Sequence, residues 1–289
     1  MKYLIVLLFF FSLGTARAGI SETVVYAEKQ GKRLEFDVFR AQHAFATILF
    51  VHGGGFYAGT RHDESILQFC DSMQNAGVNV VNMSYRLFLE GQKFDCNQPI
   101  PRKIEAIATA AEDIIDAAQY IKMHDLELGL QNIPLILMGS SAGAEAAYYA
   151  IYNLHATAFD AVIGLAGALP EIDMVTAERA LPTVMFHGSC DPLVPYNEGI
   201  HHYCSEQSPG ALYLYGSHAI YEKLVSLNQP TVLVTACGGK HGSAVSPLKK
   251  DKALLLNLIS KIATAQLETA HIIRETDSTC QLPDGGVCD

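Results

Sequence analysis

Basic side chains are scarce in this sequence, and their scarcity limits the partners that its surface can bind. The chain has 20 lysines and arginines against 30 aspartates and glutamates, which gives a formal net charge of −10 at pH 7. A surface with this excess of negative charge repels the phosphate groups of nucleic acids and of anionic lipids. The composition therefore argues against a nucleic acid as partner.

The sequence also lacks the short motifs that bind metals and nucleotides. No two of its seven cysteines form a C-x-x-C pair, and the segment His201–Cys204 has no second group of ligand residues to complete a zinc site. The three glycines after His52 have neither the Lys-Ser/Thr of a P-loop nor the G-x-G-x-x-G spacing of a dinucleotide site. We therefore expect no metal and no cofactor.

An apolar run, residues 3–13, opens the chain, but it is too short to span a bilayer, which needs about 20 residues. It follows the basic residue Lys2 and precedes Ala16-Arg17-Ala18, a small-x-small cleavage pattern. We interpret residues 1–18 as a secretory signal peptide that is cleaved after Ala18. Residues 19–289 are then a single domain, secreted or periplasmic, without stable membrane insertion.

Export places the seven cysteines in an oxidising compartment, where some are expected to form disulfides. Seven is an odd number, so at least one cysteine is left over or pairs between chains. Short sequence separation favours two local bridges, Cys190 with Cys204 and Cys280 with Cys288.

Short apolar or β-branched runs alternate with longer stretches of helical periodicity, and no linker or repeat divides the chain. This alternation predicts one α/β domain with an eight-stranded, mostly parallel sheet and helices on both faces. The first two strands are close enough to pair as an antiparallel hairpin at the sheet edge. The predicted strands are Val24–Tyr26, Arg33–Phe39, Thr47–His52, Val78–Tyr85, Pro134–Met138, Ala161–Leu165, Thr183–His187 and Thr231–Ala236. The predicted helices are Asp63–Asn75, Pro101–His124, Ala142–Asn153, Ser217–Leu227 and Pro247–Arg274.

A serine flanked by glycines lies between the fifth predicted strand and the following helix. Ser141 has Gly139 two positions before it and Gly143 two positions after it, whereas the adjacent Ser140 has neither. A strand-to-helix turn this sharp pushes the serine outward and leaves no space for a Cβ at the flanking positions. The pattern predicts that Ser141 is a nucleophile.

A serine hydroxyl needs a histidine to remove its proton and an acid to orient that histidine. On a scaffold of this type the two partners follow later strands, in the order Ser, acid, His. His241 comes directly after the last predicted strand and is the predicted base, whereas His201 and His202 are expected to be solvated loop residues. Asp191, in the turn after the seventh strand, is the predicted acid, with Asp173 as the alternative.

The glycines after His52 can bring backbone N–H groups close to a substrate, because they have no side chains in the way. We expect the N–H groups of Gly53 or Gly54, with that of Ala142, to bind the oxyanion, each donor contributing about 2.7–4 kcal/mol to catalysis. His52 itself is expected to order this loop. The candidates for substrate binding are Gly55, Phe56, Tyr57 and Ser140.

Together these motifs resemble the α/β-hydrolase superfamily, and within it the H-G-G-G carboxylesterases. The set is similar to that of the hormone-sensitive-lipase-like branch and of the exported feruloyl- and acetylxylan-esterase-like proteins of Bacteroidetes. The motifs are His52–Gly55, Tyr85–Leu87, Gly139–Gly143, His187–Asp191 and His241. The resemblance implies an α/β-hydrolase fold and ester hydrolysis through an acyl-enzyme, with Ser141 as nucleophile, His241 as base and Asp191 as orienting acid.

The substrate is less closely defined than the chemistry. Only residues 88–102 and 196–216 could cover the site, so a minimal cap and an open site are expected. An open site favours short acyl groups on a small-molecule or polysaccharide ester. The lipase-like branch often has Asp or Glu at the position of Ser140. Glu145, four residues after Ser141, is a candidate to face the site, but a buried carboxylate with a partner or an exposed one is the favoured interpretation. The alternatives are a peptidase or thioesterase on the same scaffold, or a binding protein that has lost the chemistry; the oligomeric state is open.

Overall fold

The computed structural model describes residues 19–130, 132–276 and 288. The predicted signal peptide and one partner of the predicted Cys280–Cys288 bridge therefore lie outside the described residues. The strands are β1 Glu22–Lys29, β2 Lys32–Phe39, β3 Ala46–Val51, β4 Val78–Met83, β5 Leu135–Ser140, β6 Ala161–Leu165, β7 Ala168–Leu169, β8 Thr183–Gly188, β9 Glu198–Ile200, β10 Tyr213–Gly216, β11 Thr231–Ala236 and β12 Ala270–Arg274. The α-helices are α1 Glu64–Asn75, α2 Ile100–His124, α3 Ala142–Tyr148, α4 Ser217–Ser226 and α5 Lys252–Ala263.

The main sheet has the order β1-β2-β4-β3-β5-β6-β8-β11-β12. β2 pairs antiparallel with β1 and with β4, and the remaining neighbours pair in parallel. All eight predicted strands belong to this sheet, and the first two form the predicted hairpin at its edge. The prediction of a mostly parallel sheet is confirmed.

The C-terminal part of the chain corrects the strand count. Instead of one helix over Pro247–Arg274, it forms a 3-10 turn at Ser246–Leu248, then α5, then β12, which extends the sheet by pairing in parallel with β11. The main sheet therefore has nine strands in the described chain, one more than predicted. A short apolar run such as Ala270–Arg274 fits a strand as well as a helix by its periodicity, and only its pairing with β11 decides between them.

Helices cover both faces of the sheet, as predicted. Apolar residues of α2, α3 and α4 pack in one core cluster, and those of α1 and α5 pack in the other. The central strand β5 is buried along its whole length, which explains why its sequence is apolar rather than alternating. α3 continues as a π-helical turn, Tyr149–Asn153, so the predicted helical stretch Ala142–Asn153 has the right extent.

This topology brings four loops to one edge of the sheet. β3, β5, β8 and β11 run parallel, so their carboxyl ends lie at the same edge. The segments that follow them contain Gly53–Gly55, Ser141, Asp191 and His241. A site at this edge is thus assembled from segments that are distant in sequence.

The disulfides join segments far apart in sequence, so both predicted local pairs are wrong. Cys204 bonds to Cys96 and Cys288 bonds to Cys237, while Cys190 is also disulfide-bonded. Among the described cysteines, Cys70 is free and buried. The two segments that carry Cys96 and Cys204 lie next to each other, and Gly210 N–H donates to Cys96 O at 3.0 Å. Spatial proximity therefore decided the pairing.

The double replacement Cys96→Ser/Cys204→Ser is expected to lower the melting temperature by about 5–10 °C. This bridge closes a loop of 108 residues, and a loop of that length restricts the unfolded chain by about 4–5 kcal/mol in the chain-entropy model. Thermal unfolding followed by circular dichroism measures the shift, with the exposed neighbour Ser205→Ala as the control. An unchanged melting temperature would contradict a stabilising bridge.

Candidate active site

Ser141 occupies a strained turn between β5 and α3. Its φ of 52° and ψ of −122° place it in a region that side-chain-bearing residues seldom adopt. A Cβ on Gly139 would lie 2.2 Å from Gly143 O, and one on Gly143 would lie 2.2 Å from Val51 O. The flanking glycines are therefore required by the close approach of backbone from the adjacent elements, as the sequence pattern predicts.

Ser141, His241 and Asp191 form a continuous series of hydrogen bonds. The Oγ of Ser141 lies 2.9 Å from His241 Nε2, and His241 Nδ1 lies 2.6 Å from Asp191 Oδ2. With the proton on Nδ1 donated to the carboxylate, Nε2 is free to accept the serine proton. The three predicted residues thus meet in the order that nucleophilic catalysis needs. Asp173, the alternative acid, is exposed.

The Asp191 carboxyl is fully buried and well supplied with donors. Its Oδ1 accepts backbone N–H groups from Leu193 at 2.8 Å and Val194 at 3.1 Å. Burial acts to raise the pKa of Asp191, but the hydrogen bonds and charges of His187 and His241 outweigh it and hold the pKa well below its usual value. The group is therefore a carboxylate at neutral pH.

His187 is a further member of this network that sequence reasoning left without a role. Its Nε2 lies 3.2 Å from Asp191 Oδ2, and its Nδ1 lies 2.8 Å from Ser217 Oγ. The side chain is buried, so His187 is a second histidine, beside His241, in contact with Asp191 Oδ2. Its only sequence signal is its place in the segment His187–Asp191, which contains the predicted acid.

The glycine loop after β3 lies directly beside the serine. A Cβ on Gly53 would come within 3.2 Å of Ser141 Cβ, and Gly54 has a φ of +118°, which favours glycine. The ring of His52 stacks on Tyr85 at 4.5 Å, and its Nδ1 lies 2.7 Å from Gly53 O. Burial lowers the pKa of His52, so the ring is neutral and orders the loop.

A cavity of about 360 Å³ opens next to Ser141. Of the predicted substrate-binding residues, Gly55 and Tyr57 line it, whereas Phe56 is fully buried behind it and packs on Phe94 at 5.1 Å. Ser140 faces a second cavity of about 310 Å³, because successive residues leaving a strand point in opposite directions. The lining of the first cavity is Gly54, Gly55, Tyr57, Phe94, Ser141, Ala142, Glu145, Leu193, Val194, His201, His202 and His241.

The prediction that His201 is a solvated loop residue is wrong. Its side chain is 3% exposed and forms part of the cavity wall, and its ring packs edge-on against Phe94 at 4.9 Å. The Cys96–Cys204 bridge is close in sequence to Phe94 and to His201, and it links the two segments that contain them. No sequence pattern indicates this burial, since it depends on a pairing between segments more than a hundred residues apart.

Within the described residues, no cluster of three or more His, Cys, Asp or Glu side chains is arranged to hold a metal ion. In the same part of the chain, no helix is both long enough and apolar enough to cross a membrane.

Comparison with known proteins finds one matching family model and a set of solved structures with a similar fold. Residues 37–165 match the BD-FAE family model. Esterase 2 of Thermogutta terrifontis phosphorylated by paraoxon has a TM-score of 0.61 and 17% identity, covering 88% of this chain and 97% of that one. The propionate-bound form of that esterase has a TM-score of 0.61 and 18% identity over 86% and 96% of the two chains, and the butyrate-bound form has 0.60 and 18% over 85% and 95%. No curated protein sequence matches the chain. At these identities the structural likeness shows a common fold.

Proposed function

From the α/β-hydrolase fold shared with known esterases and the family match over residues 37–165, we propose that the chain hydrolyses carboxylic esters through an acyl-enzyme on Ser141. His241 is the general base and Asp191 is the acid that orients it. The observation that carries the proposal is the unbroken series of contacts from Asp191 Oδ2 to His241 and from His241 Nε2 to Ser141 Oγ.

The reaction begins when His241 Nε2 takes the proton of Ser141 Oγ, which attacks the ester carbonyl carbon. The oxyanion of the tetrahedral intermediate accepts hydrogen bonds from the backbone N–H groups of Gly53 or Gly54 and of Ala142. The imidazolium, stabilised by the ionised Asp191, gives its proton to the leaving alcohol. A water molecule then attacks the acyl-enzyme by the same steps and releases the acid.

The substrates that suit this site are esters of short acyl groups, including those attached to carbohydrate. The cavity beside Ser141 is small, at about 360 Å³, and exposed Tyr57 lies at its border. The similar Thermogutta esterase is known with propionate and with butyrate bound. We also propose export of the protein, on the N-terminal sequence alone; the mature chain should begin at Gly19, as N-terminal sequencing can test.

The decisive assay compares p-nitrophenyl acetate, butyrate and decanoate with a peptide amide and a thioester. We expect kcat/KM to be highest for acetate or butyrate, because the decanoyl chain exceeds the cavity, and to be lowest for the amide. Faster cleavage of the amide or the thioester would favour the peptidase or thioesterase alternative. No turnover of any of these substrates would favour a binding protein.

A further inference from the structure

A carboxyl group without a hydrogen-bond donor lies in the wall of the active-site cavity. Glu145 follows Ser141 by one helical turn, lines the cavity and is 2% exposed. Its contact with His201 is an Oε1 to Nε2 distance of 3.9 Å, which is too long for a hydrogen bond, and the described chain supplies no donor to its oxygens. Buried polar groups nearly always have partners, and the cavity that Glu145 lines is where a ligand can supply one.

His201 provides a second unsatisfied group beside the first. Its Nδ1 is buried without a partner in the described part of the chain. Its ring packs edge-on against Phe94 and stacks on His202 at 4.1 Å, which holds it in place. An unpaired buried acceptor is tolerated better than an unpaired buried N–H. This places the ring proton on Nε2, which faces Glu145 across the 3.9 Å gap.

The charges around the gap favour a neutral ligand. Burial raises the pKa of Glu145 to about 8, although nearby Lys103 acts to lower it, so the carboxyl keeps its proton at neutral pH. Burial also lowers the pKa of His201 well below its usual value, so the imidazole is uncharged. Lys103 Nζ donates to Gly210 O at 2.7 Å, and its hydrogen bonds in the described chain do not include one to Glu145. The pair therefore offers one N–H donor and one carboxylic acid, without a net charge.

We propose that Glu145 and His201 are specificity-determining residues that bind a hydroxyl group of the ester substrate. The inference rests on the proposed ester hydrolysis. A hydroxyl oxygen at hydrogen-bond distance from both Glu145 Oε1 and His201 Nε2 fits a gap of 3.9 Å. The hydroxyl oxygen accepts a hydrogen bond from His201 Nε2–H, and the hydroxyl group forms a second hydrogen bond with the carboxyl group of Glu145. Glu145 and Ser141 are one helical turn apart, which is about 5.4 Å along the helix axis. The bound hydroxyl therefore lies a few bonds from the ester carbon that Ser141 attacks, as in a hydroxyacyl ester or a partly acylated polyol.

The test uses two pairs of substrates in which a methyl group replaces the hydroxyl. Ethyl 3-hydroxybutyrate is compared with ethyl 3-methylbutyrate for the acyl side, and 2-hydroxyethyl acetate with propyl acetate for the alcohol side. The readout is the ratio of kcat/KM for the hydroxyl and methyl members, measured by titration of the released acid. This ratio cancels general losses of activity. The variants are Glu145→Leu, Glu145→Gln and His201→Phe, with the exposed Glu127→Leu as the matched control.

In at least one pair, we expect the wild-type ratio to fall about tenfold or more in Glu145→Leu and in His201→Phe. Glu145→Gln should keep the ratio within about threefold, since an amide is also a neutral donor and acceptor, and Glu127→Leu should leave it unchanged. Equal ratios in the wild type and all variants for both pairs would overturn the proposal. If Glu145→Leu does not fold, Glu145→Gln and His201→Phe still decide. A wild type inactive on every ester would overturn the proposed function instead.

Discussion

Ser141→Ala is expected to lower kcat for ester hydrolysis by about 10⁴- to 10⁶-fold. The substitution removes the atom that attacks the carbonyl carbon. It leaves in place the backbone bond from Ser141 N–H to Leu165 O that holds the turn. Among the described side chains, the hydroxyl has its hydrogen bond with His241, so its loss should leave the protein folded. Any residual rate comes from binding and from the N–H groups beside the oxyanion.

The measurement is a steady-state assay with p-nitrophenyl acetate, accompanied by circular dichroism to verify the fold. Ser226→Ala, at the exposed end of α4, is the matched control and should keep wild-type activity. A Ser141→Ala enzyme within tenfold of the wild type would mean that another group is the nucleophile.

The second large effect is structural. Gly143→Ala is expected to destabilise the protein by about 4 kcal/mol or more, because the new Cβ would lie 2.2 Å from Val51 O and 2.7 Å from His52 O. These are backbone atoms at the end of β3, which is fixed by pairing with β4 and β5. The helix propensity of alanine exceeds that of glycine by about 1 kcal/mol, so the collision outweighs the local preference.

Urea denaturation measures this loss, and Gly242→Ala is the matched control because its Cβ would meet no atom within 4 Å. The control should stay within about 1 kcal/mol of the wild type. If the two variants proved equally stable, the turn around Ser141 would be looser than its geometry indicates, and the requirement for glycine there would lose its basis.

The features predicted correctly from the sequence are those that local rules determine. The alternation of buried strands and amphipathic helices has a short-range signature, and all eight predicted strands take part in the sheet. The glycines around Ser141 follow from sterics within a few residues. Parallel strands then bring their carboxyl ends to one edge, so the order of Ser141, Asp191 and His241 along the chain was enough to suggest their meeting.

The features that were missed depend on contacts between distant segments. β12 is distinguished from a helix by its pairing with β11. The Cys96–Cys204 bridge and the burial of His201 both arise where two segments separated by more than a hundred residues lie side by side. His187 carries no pattern of its own, and it gains a role only because Asp191 lies next to it in space.

The most direct test of Ser141 as nucleophile is mass spectrometry after treatment with paraoxon, which transfers a diethyl phosphoryl group to an activated serine. We predict a single adduct, located on Ser141, that is absent from Ser141→Ala. Labelling of a different residue, or equal labelling of the Ser141→Ala variant, would contradict the proposed catalytic site.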